Sequence, residues 1–280
     1  HFSGEYLHSF EYKKPEDFVG KKVCVVGVGN SACDIASDVC VTSEHTFLVA
    51  RSTPIILPKL MFGLPFTDIT RKIQRSWLPA WFRRRVTQTL AWIAHGDLTK
   101  LGFKPPSHER LHVTSNGTIV NDIAYRRVHL KQDITSIEGK KITFSDGTSH
   151  EFDSLIAATG YKVHLPYLAE GLINGDPENN RLDLYKRIVP PGWPGLYMIG
   201  FFNTDTALNM IFEHQARWGR DIELRLAKLP SEAEMRLDIQ SKSEWVSSTY
   251  KKTPRHGLEE EHVPYLEELK HSNRVMRKLH

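Results

Sequence analysis

The sequence predicts an α/β fold with a Rossmann-like unit near its start, and the order of the first elements carries this prediction. The apolar run at 23–26 (VCVV) is typical of a strand buried on both faces of a parallel sheet. Residues 27–32 (GVGNSA) fit the turn pattern G-x-G-x-x-(G/A). A second strand is expected at 45–50. Between the turn and that strand, apolar residues recur at helical spacing, namely Ala32, Ile35, Ala36 and Val39.

The glycine turn has the composition of a dinucleotide-binding turn. Gly27 permits the sharp change of direction, Gly29 lets the backbone approach a pyrophosphate, and Ala32 keeps the helix close to the strand. The phosphates would lie at the helix N-terminus, where unpaired N–H groups favour negative charge. Asn30 and Ser31 can add side-chain donors there. The alternative, a glycine turn without a ligand, stays open at this point.

Arg51 and Ser52 indicate which dinucleotide is bound. NAD-specific sites usually end the second strand in Asp or Glu, which hydrogen-bonds the ribose 2′-hydroxyl group. Here Arg51, Ser52 and Thr53 occupy that place, with no carboxylate among them. Because a guanidinium group suits a 2′-phosphate, the sequence predicts NADPH as a cofactor. An exposed arginine at a strand end, without a ligand, is the alternative.

Composition and charge exclude several classes of protein. The chain has 280 residues, 40% hydrophobic and 25% charged, so it is neither disordered nor fibrous. Its net charge of +4 argues against a nucleic-acid partner, and no apolar run is long enough for a membrane helix. Residue 1 is His and a motif begins at once, so we expect the chain to be part of a longer protein. Cysteine spacing predicts neither a disulfide framework nor a metal site, and favours a cytoplasmic protein with buried thiols at Cys24, Cys33 and Cys40.

The segment at 54–94 combines apolar and basic residues. Residues 54–66 are expected to form an apolar loop interrupted by Pro and Gly, and residues 70–94 two short helices broken near Leu78 and Pro79. The second helix carries arginines at 83–85. A solvated basic face is one interpretation, and a peripheral contact with an anionic membrane is the other. Apolar residues are expected to follow one face of this helix, namely Trp81, Phe82, Val86, Leu90 and Ile93.

The remaining sequence predicts strands and then helices. Short strands with tight turns, including an antiparallel meander, are expected over 111–150. Apolar runs predict buried strands at 153–161 and 196–200. The tail at 230–280 has a charged, helical pattern. Helices are expected to start at Asp205 or Thr206, and at the capping box of Ser231 and Glu234.

These motifs resemble those of the flavin-containing monooxygenases. Residues 2–12 match the fingerprint F-x-G-x-x-x-H-x-x-x-(F/Y), and Tyr12 stands where related Baeyer–Villiger enzymes usually carry Trp. The glycine turn, followed by Asp-Ile, is similar to the family's NADPH-binding turn. The family's FAD-binding turn precedes the fingerprint, and this sequence contains only the later turn. Further segments resemble family motifs in the family's order: 153–161, 213–218 and 265–269.

The resemblance implies the α/β fold of a two-dinucleotide-binding-domain flavoprotein, with a Rossmann-like NADP-binding domain inserted in a split FAD-binding domain. At the position of residues 201–204 (FFNT), family members commonly have a Gln-Pro step whose glutamine contacts the flavin. Whether Asn203 makes that contact here stays open. FAD is expected as the second cofactor, contacted by Thr159, Gly160, Asn203 and Gln215. The implied segments are a linker at 1–19, the NADP-binding domain at 20–150 with a helical insert at 67–97, the C-terminal part of the FAD-binding domain at 151–229, and a helical tail at 230–280.

The resemblance also implies a reaction. NADPH would reduce FAD, and the reduced flavin would form a C4a-hydroperoxide with dioxygen, which an amine nitrogen or a sulfide sulfur attacks. No catalytic residue is assigned, and His8 is expected to organise the linker rather than to transfer a proton. This chain alone is expected to be inactive. The alternatives are a Baeyer–Villiger oxygenase, a reductase, or a non-enzymatic NADP-binding module. Two further questions stay open: whether the chain forms a homodimer, and whether it lies at the cytosolic face of an intracellular membrane.

Overall fold

The chain divides into two units in the computed structural model, which describes residues 1–73, 77–105, 113–169, 171–204, 208–249 and 257–278. The first unit contains residues 1–73 and 80–160, and the second contains residues 74–79 and 161–280. The division therefore falls after Gly160, whereas the predicted domain boundary stood at 150/151. Residues 151–160 pack with the first unit.

Short strands dominate the first unit. In chain order they are β1 (Glu5–His8), β2 (Lys22–Val26), β3 (His45–Val49), β4 (Ile55–Leu57), β5 (Leu60–Met61), β6 (Leu64–Pro65), β7 (Val113–Ser115), β8 (Val128–Lys131), β9 (Ile134–Glu138), β10 (Lys141–Phe144), β11 (Ser149–Glu151) and β12 (Ser154–Ala157). The helices are α1 (Asn30–Val39), α2 (Phe66–Ile73), α3 (Ala80–His95) and α4 (Ile119–Ala124), with 3-10 turns at Pro15–Phe18 and Leu98–Leu101.

A parallel sheet with the strand order β1-β12-β2-β3-β8 is the centre of this unit. The middle strand β2 has its interior residues fully buried, as expected of a strand covered on both faces. Helix α1 packs against the sheet with Ala32, Ile35 and Ala36 in the same hydrophobic cluster as Val23 and Val25. The predicted strand–turn–helix–strand unit is confirmed, with β3 ending at Val49.

The other side of the sheet is covered by the antiparallel sheet β9-β10-β11. Phe47 of the parallel sheet packs against Phe144 and Phe152 there, with ring centroids 6.2 and 5.0 Å apart. The predicted meander is confirmed. The expectation of strands alone over 111–150 is wrong, because Ile119–Ala124 form helix α4. The side chain of Asn116 accepts the N–H of Ile119 at 2.7 Å, and this cap starts a helix that the strand-like pattern concealed.

The segment at 54–95 contains more strand than expected. The predicted apolar loop forms β4, β5 and β6, because β4 pairs with β7 and β5 pairs with β6. Two helices follow as predicted, although α2 starts at Phe66 rather than near Thr70, and α3 starts after Pro79. The predicted apolar face of α3 is largely exposed, and the helix buries Ala91 instead. A small separate core joins Leu57, Met61, Phe66 and Ala91.

The second unit contains the helices α5 (Leu208–Glu223), α6 (Glu232–Thr249) and α7 (His262–Lys278). Helix α5 packs against α7, and the large side chains Ile211, Trp218 and Tyr265 are buried in their common core. The predicted start of α5 at Asp205 or Thr206 lies outside the described residues. The capping box is confirmed by hydrogen bonds between Ser231 and Glu234 at the start of α6. The other described elements of this unit are the short strands β13 (Gly175–Asp176) and β14 (Arg181–Leu182) and a 3-10 turn at Pro177–Asn179.

The strand predicted at 196–200 is wrong. The run is apolar and Met198 is 5% exposed, but no described strand pairs with these residues. The N–H of Met198 donates to the carbonyl of Ile188 at 2.8 Å. Apolar composition gives burial, whereas a strand also needs a neighbouring strand for its backbone hydrogen bonds.

The cysteines behave as small buried residues, as predicted for Cys24 and Cys33. These two lie in β2 and α1, and burial raises the pKa of each thiol to about 12. Cys40 is partly buried after the last turn of α1, and burial raises its pKa to about 11. All three thiols are therefore protonated at neutral pH, which makes them poor nucleophiles.

None of the helices within the described ranges combines the length and the apolar composition that a bilayer-crossing segment requires.

Candidate dinucleotide-binding site

The predicted site residues of the first unit gather at one edge of the parallel sheet. All five strands run in the same direction, so their carboxyl ends share this edge. Gly27 follows β2, Arg51 follows β3, Thr159 follows β12, and His8 ends β1. The chain passes from β2 through α1 to β3 on one side, whereas β12 lies on the other side of β2. Ligands of open α/β sheets bind at such a reversal of strand order.

Gly27 holds a backbone conformation that requires glycine. Its φ is +130°, and a Cβ atom there would lie 2.3 Å from the carbonyl oxygen of Ala158. The N–H of Gly27 donates to the carbonyl of Val49 at 3.0 Å, and the N–H of Ala158 donates to Val26 at 2.8 Å. The turn is thus fixed to the strands on both sides of β2, and any side chain at this position would displace it.

Gly29 and the start of α1 leave backbone N–H groups without an acceptor among the described residues. Gly29 is the N-cap with φ −77° and ψ −177°, an extended conformation that any residue adopts, and no side chain caps the helix. The first backbone bond of the helix runs from the N–H of Cys33 to the carbonyl of Gly29 at 3.0 Å. No described residue accepts a hydrogen bond from the N–H groups of Asn30, Ser31 or Ala32. Such free donors at a helix N-terminus favour a phosphate or another anion.

The side chains of the turn have different surroundings. The Oδ1 atom of Asn30 accepts the N–H of Ser115 at 2.8 Å, while its Nδ2 group has no partner in the described part of the chain. Ser31 is half-buried, and Ala32 is fully buried in the main core. Asn30 can therefore donate to a ligand while its oxygen is held, and Ala32 gives close packing of helix and strand.

Arg51 and Ser52 are exposed beyond the end of β3. Within the described ranges, no carboxylate lies in ion-pair distance of the Arg51 guanidinium. The next residue, Thr53, is 4% exposed, and its hydroxyl donates to the carbonyl of Lys104. The backbone at the strand end is thus anchored, and the guanidinium is available to an anionic group.

His8 connects β1 to the segment that follows β12. Its Nδ1 atom accepts the N–H of Phe10 at 3.2 Å, so the proton lies on Nε2, which donates to the carbonyl of Gly160 at 2.9 Å. Both nitrogens of the neutral ring are engaged, and Gly160 has a φ of +107°. These contacts support the organising role expected of His8. Thr159 and Gly160 are exposed at the sheet edge.

The other two predicted residues lie in the second unit and are engaged by the protein. Gln215 is 0% exposed; its Oε1 accepts the N–H of Gly200 at 2.9 Å, and its Nε2 donates to the Tyr265 hydroxyl at 2.7 Å. The side-chain amide of Asn203 donates to Glu259 at 2.8 Å. Gln215 thus holds the backbone of Gly200, Asn203 is bonded to the side chain of Glu259, and Gln215 has no surface to offer a ligand.

Strand β7 was not linked to the site by any sequence pattern. Thr114 and Asn116 are nearly fully buried and donate to Val28 and Asp34, on either side of the α1 N-terminus. The only available signal was the Asn-Gly-Thr sequence at 116–118, which is typical of a turn before a helix. Such a signal indicates a local turn and says nothing about which distant element it contacts.

A family model described as flavin-binding monooxygenase-like matches residues 1–278. The chain belongs to this family. It is 30% identical over 283 aligned residues to flavin-containing monooxygenase 5 of Oryctolagus cuniculus, covering 96% of this chain and 51% of that protein. It is also 30% identical, with the same coverage, to dimethylaniline monooxygenase [N-oxide-forming] 2 of Mus musculus. The chain thus spans about half the length of these flavin monooxygenases.

Solved structures agree with the predicted fold class. S-allyl-L-cysteine S-oxygenase from Allium sativum matches with a TM-score of 0.62 and 20% identity, covering 99% of this chain and 52% of that one. A cyclohexanone monooxygenase mutant from Rhodococcus sp. Phi1 bound to NADP+ matches with a TM-score of 0.62 and 14% identity, covering 99% and 69%. The α/β fold of flavoprotein monooxygenases is confirmed.

Proposed function

We propose that this chain binds NADPH at the carboxyl edge of its parallel sheet and acts within an NADPH- and FAD-dependent monooxygenase. The substrates would be dioxygen and a small molecule with a soft nucleophilic atom, an amine nitrogen or a sulfide sulfur. The family supports the reaction class. A relative named as an N-oxide-forming dimethylaniline monooxygenase supports the amine.

The observation that carries the proposal is the open helix N-terminus beside an exposed cation. The backbone conformation requires glycine at position 27 but would accept any residue at position 29. The absence of a side chain at Gly29 is therefore best explained by a ligand that approaches the turn. Free N–H groups at Asn30–Ala32 suit the pyrophosphate. Arg51, with no described acidic partner, suits the 2′-phosphate that distinguishes NADPH from NADH.

The residues available for FAD are fewer than the sequence indicated. Thr159 and Gly160 are exposed at the same sheet edge and remain our candidates for a flavin contact. For Gln215 we propose a positioning role, because its buried amide fixes the backbone of Gly200. Asn203 is proposed to act in the same way through Glu259.

The cofactors supply the redox chemistry when bound: NADPH provides a hydride and the flavin passes electrons to dioxygen. This chain would bind the pyrophosphate at 27–32, orient the nucleotide through Arg51, and keep water from the dinucleotide with the sheet edge. No acid or base of the chain is assigned a proton transfer, and neutral His8 holds the backbone of Gly160.

A peripheral contact with an anionic membrane is also proposed, supported by helix α3. Trp81 and Trp92 are 70% and 63% exposed. Because they are eleven residues apart, about three helical turns, they lie on the same face of the helix, with Arg85 between them. Exposed tryptophans favour the interface of a bilayer, and arginine favours anionic lipid. The protein would then work in the cytoplasm or at the cytosolic face of an intracellular membrane.

Calorimetric titration of the chain with NADPH and with NADH tests the proposal. We expect NADPH to bind and Gly27→Ala to abolish this binding, because the new Cβ atom would collide with Ala158. Gly147→Ala is the matched control, since Gly147 also has a positive φ (+80°) but its added Cβ would meet open space. A wild-type chain that binds neither nucleotide would support the alternative of a glycine turn without a ligand.

A further inference from the structure

We propose that residues 114–116 form a positioning segment that holds the glycine turn in its binding shape, with Asn116 as its principal residue. The proposal rests on the proposed function, since it concerns the same NADPH site. Thr114 and Ser115 belong to β7, which pairs with β4, and the N–H of Asn116, the next residue, donates to the carbonyl of Leu57 at 3.0 Å. The segment is therefore anchored on the side away from the turn.

Each residue of the positioning segment contacts a different part of the turn and of α1. The Thr114 hydroxyl donates to the carbonyl of Val28 at 3.0 Å. The N–H of Ser115 donates to Oδ1 of Asn30 at 2.8 Å. The Nδ2 group of Asn116 donates to Oδ1 of Asp34 at 2.9 Å. Together these bonds fix the peptide group of Val28 before α1, the side chain of Asn30 at its first residue, and the side chain of Asp34 one turn later.

Burial makes these contacts specific. Thr114 is 1% exposed and Asn116 is 2% exposed, so water cannot replace the partners that they would lose. A buried polar group without a partner is unfavourable, and a fully bonded one selects a single arrangement. The backbone at Val28 and Asn30 is thus held in place before a ligand arrives. A site that is already ordered binds more tightly, since no ordering has to occur on binding.

Asn116 combines two tasks that can be separated by mutation. Its Oδ1 atom accepts the N–H groups of Thr118 and Ile119 at 2.8 and 2.7 Å, which caps α4. Its Nδ2 group makes the bond to Asp34. An aspartate at this position would keep the capping oxygen, because Asp is as good a helix cap as Asn. It would lose only the donor, and its carboxylate would face that of Asp34.

The test compares Asn116→Asp, Asp34→Asn and the double variant that exchanges the two residues. We expect Asn116→Asp to raise the Kd for NADPH about tenfold at pH 8, because two carboxylates now repel each other beside the turn. The exchanged pair restores the hydrogen bond with its direction reversed and leaves the net charge unchanged. It should return the Kd to within about twofold of wild type.

Amide hydrogen exchange without nucleotide gives a second readout. Exchange at residues 33–39, the amides bonded in α1 and to Gly29 at its start, should be faster in Asn116→Asp and normal in the exchanged pair. Asn180→Asp is the matched control, because Asn180 is a buried asparagine of the second unit that bonds Val163 and Tyr161. We expect that control to change neither exchange at 33–39 nor the Kd for NADPH.

The two readouts distinguish failure of this inference from failure of the proposed function. If wild type binds NADPH but Asn116→Asp leaves both the Kd and exchange at 33–39 unchanged, the positioning role is wrong. An exchanged pair that stays as defective as Asn116→Asp would also overturn it. If wild type binds no NADPH, the proposed function fails, and exchange at 33–39 alone decides whether Asn116 orders the turn and the start of α1.

Discussion

The glycine turn of the first unit and the Gln215 cluster of the second unit were both predicted to bind cofactors, and their hydrogen bonding differs. At the turn, the N–H groups of Asn30, Ser31 and Ala32 have no acceptor among the described residues. In the cluster, Gln215 bonds Gly200 and Tyr265, and the Tyr265 hydroxyl donates to the carbonyl of Lys186 at 2.6 Å. The first site is open to a ligand, and the second is closed by the protein itself.

The charged groups differ in the same way. Arg51 is exposed with no described carboxylate in reach, whereas Arg187 is 6% exposed and its Nε donates to Glu260 at 2.9 Å. Lys186 bonds Asp238 and Glu268. Burial acts to lower the pKa of Lys186, but these two carboxylates outweigh it and raise the pKa to about 12. A charged side chain can therefore be left open to a ligand or held in the core, and its burial and its partners distinguish the two cases.

The largest effect is expected from breaking the buried charge cluster. Glu260 is only 2% exposed, and its carboxylate oxygens lie 2.9 Å from Nε of Arg187 and 2.9 Å from Nζ of Lys242. Glu260→Gln removes the negative charge that faces both cations. The free energy of unfolding should fall by about 3–5 kcal/mol, because a buried cation loses its partner. Urea unfolding followed by circular dichroism measures this. Glu213→Gln is the control, since its pair with Arg217 is exposed and should contribute about 0–1 kcal/mol. Equal losses for both variants would contradict the comparison.

A smaller effect on stability is expected from Gln215→Leu. The substitution leaves the N–H of Gly200 and the Tyr265 hydroxyl without their buried partner, which costs about 1–3 kcal/mol. The Kd for NADPH should stay at its wild-type value, because the cluster closes on itself. Gln240→Leu, on the exposed side of α6, serves as the control. A large loss of nucleotide affinity with little loss of stability would show that Gln215 serves a ligand after all.

The smallest effect concerns the membrane contact. Replacing Trp81 and Trp92 by Ala should weaken binding to vesicles of phosphatidylcholine with phosphatidylserine several-fold, since single interfacial anchors contribute modestly. Cosedimentation measures the bound fraction. Replacement of Trp193, which is 52% exposed in the second unit, is the control. Wild-type chain that stays in the supernatant at low salt would remove the membrane proposal and leave a solvated face.

Local sequence patterns predicted those parts of the fold that local interactions determine. The turn at 27–32, helix α1 and the capping box of Ser231 each depend on neighbours within a few residues, and all three are confirmed. The run at 196–200 did not become a strand, because strand formation depends on a partner that the run itself does not specify.

The candidate site shows the same limit. Gly27 and Arg51 could be predicted, since the motif places both at strand ends. The contacts of Asn116 with Asp34 could not, because 82 residues separate the two in sequence. The burial of Gln215 could not be predicted either. A glutamine in a helix motif gives the same sequence pattern whether its side chain bonds a cofactor or Tyr265.

Arg51→Glu tests the central claim most directly. Loss of a charge-assisted bond, worth about 1.5–3 kcal/mol, should raise the Kd for NADPH roughly 10- to 150-fold. The Kd for NADH should change less than about twofold, because NADH has no 2′-phosphate. Arg181→Glu, at an exposed position of the second unit, controls for the change in net charge. Selective loss of NADPH affinity would support the account, and equal losses for NADPH and NADH would contradict it.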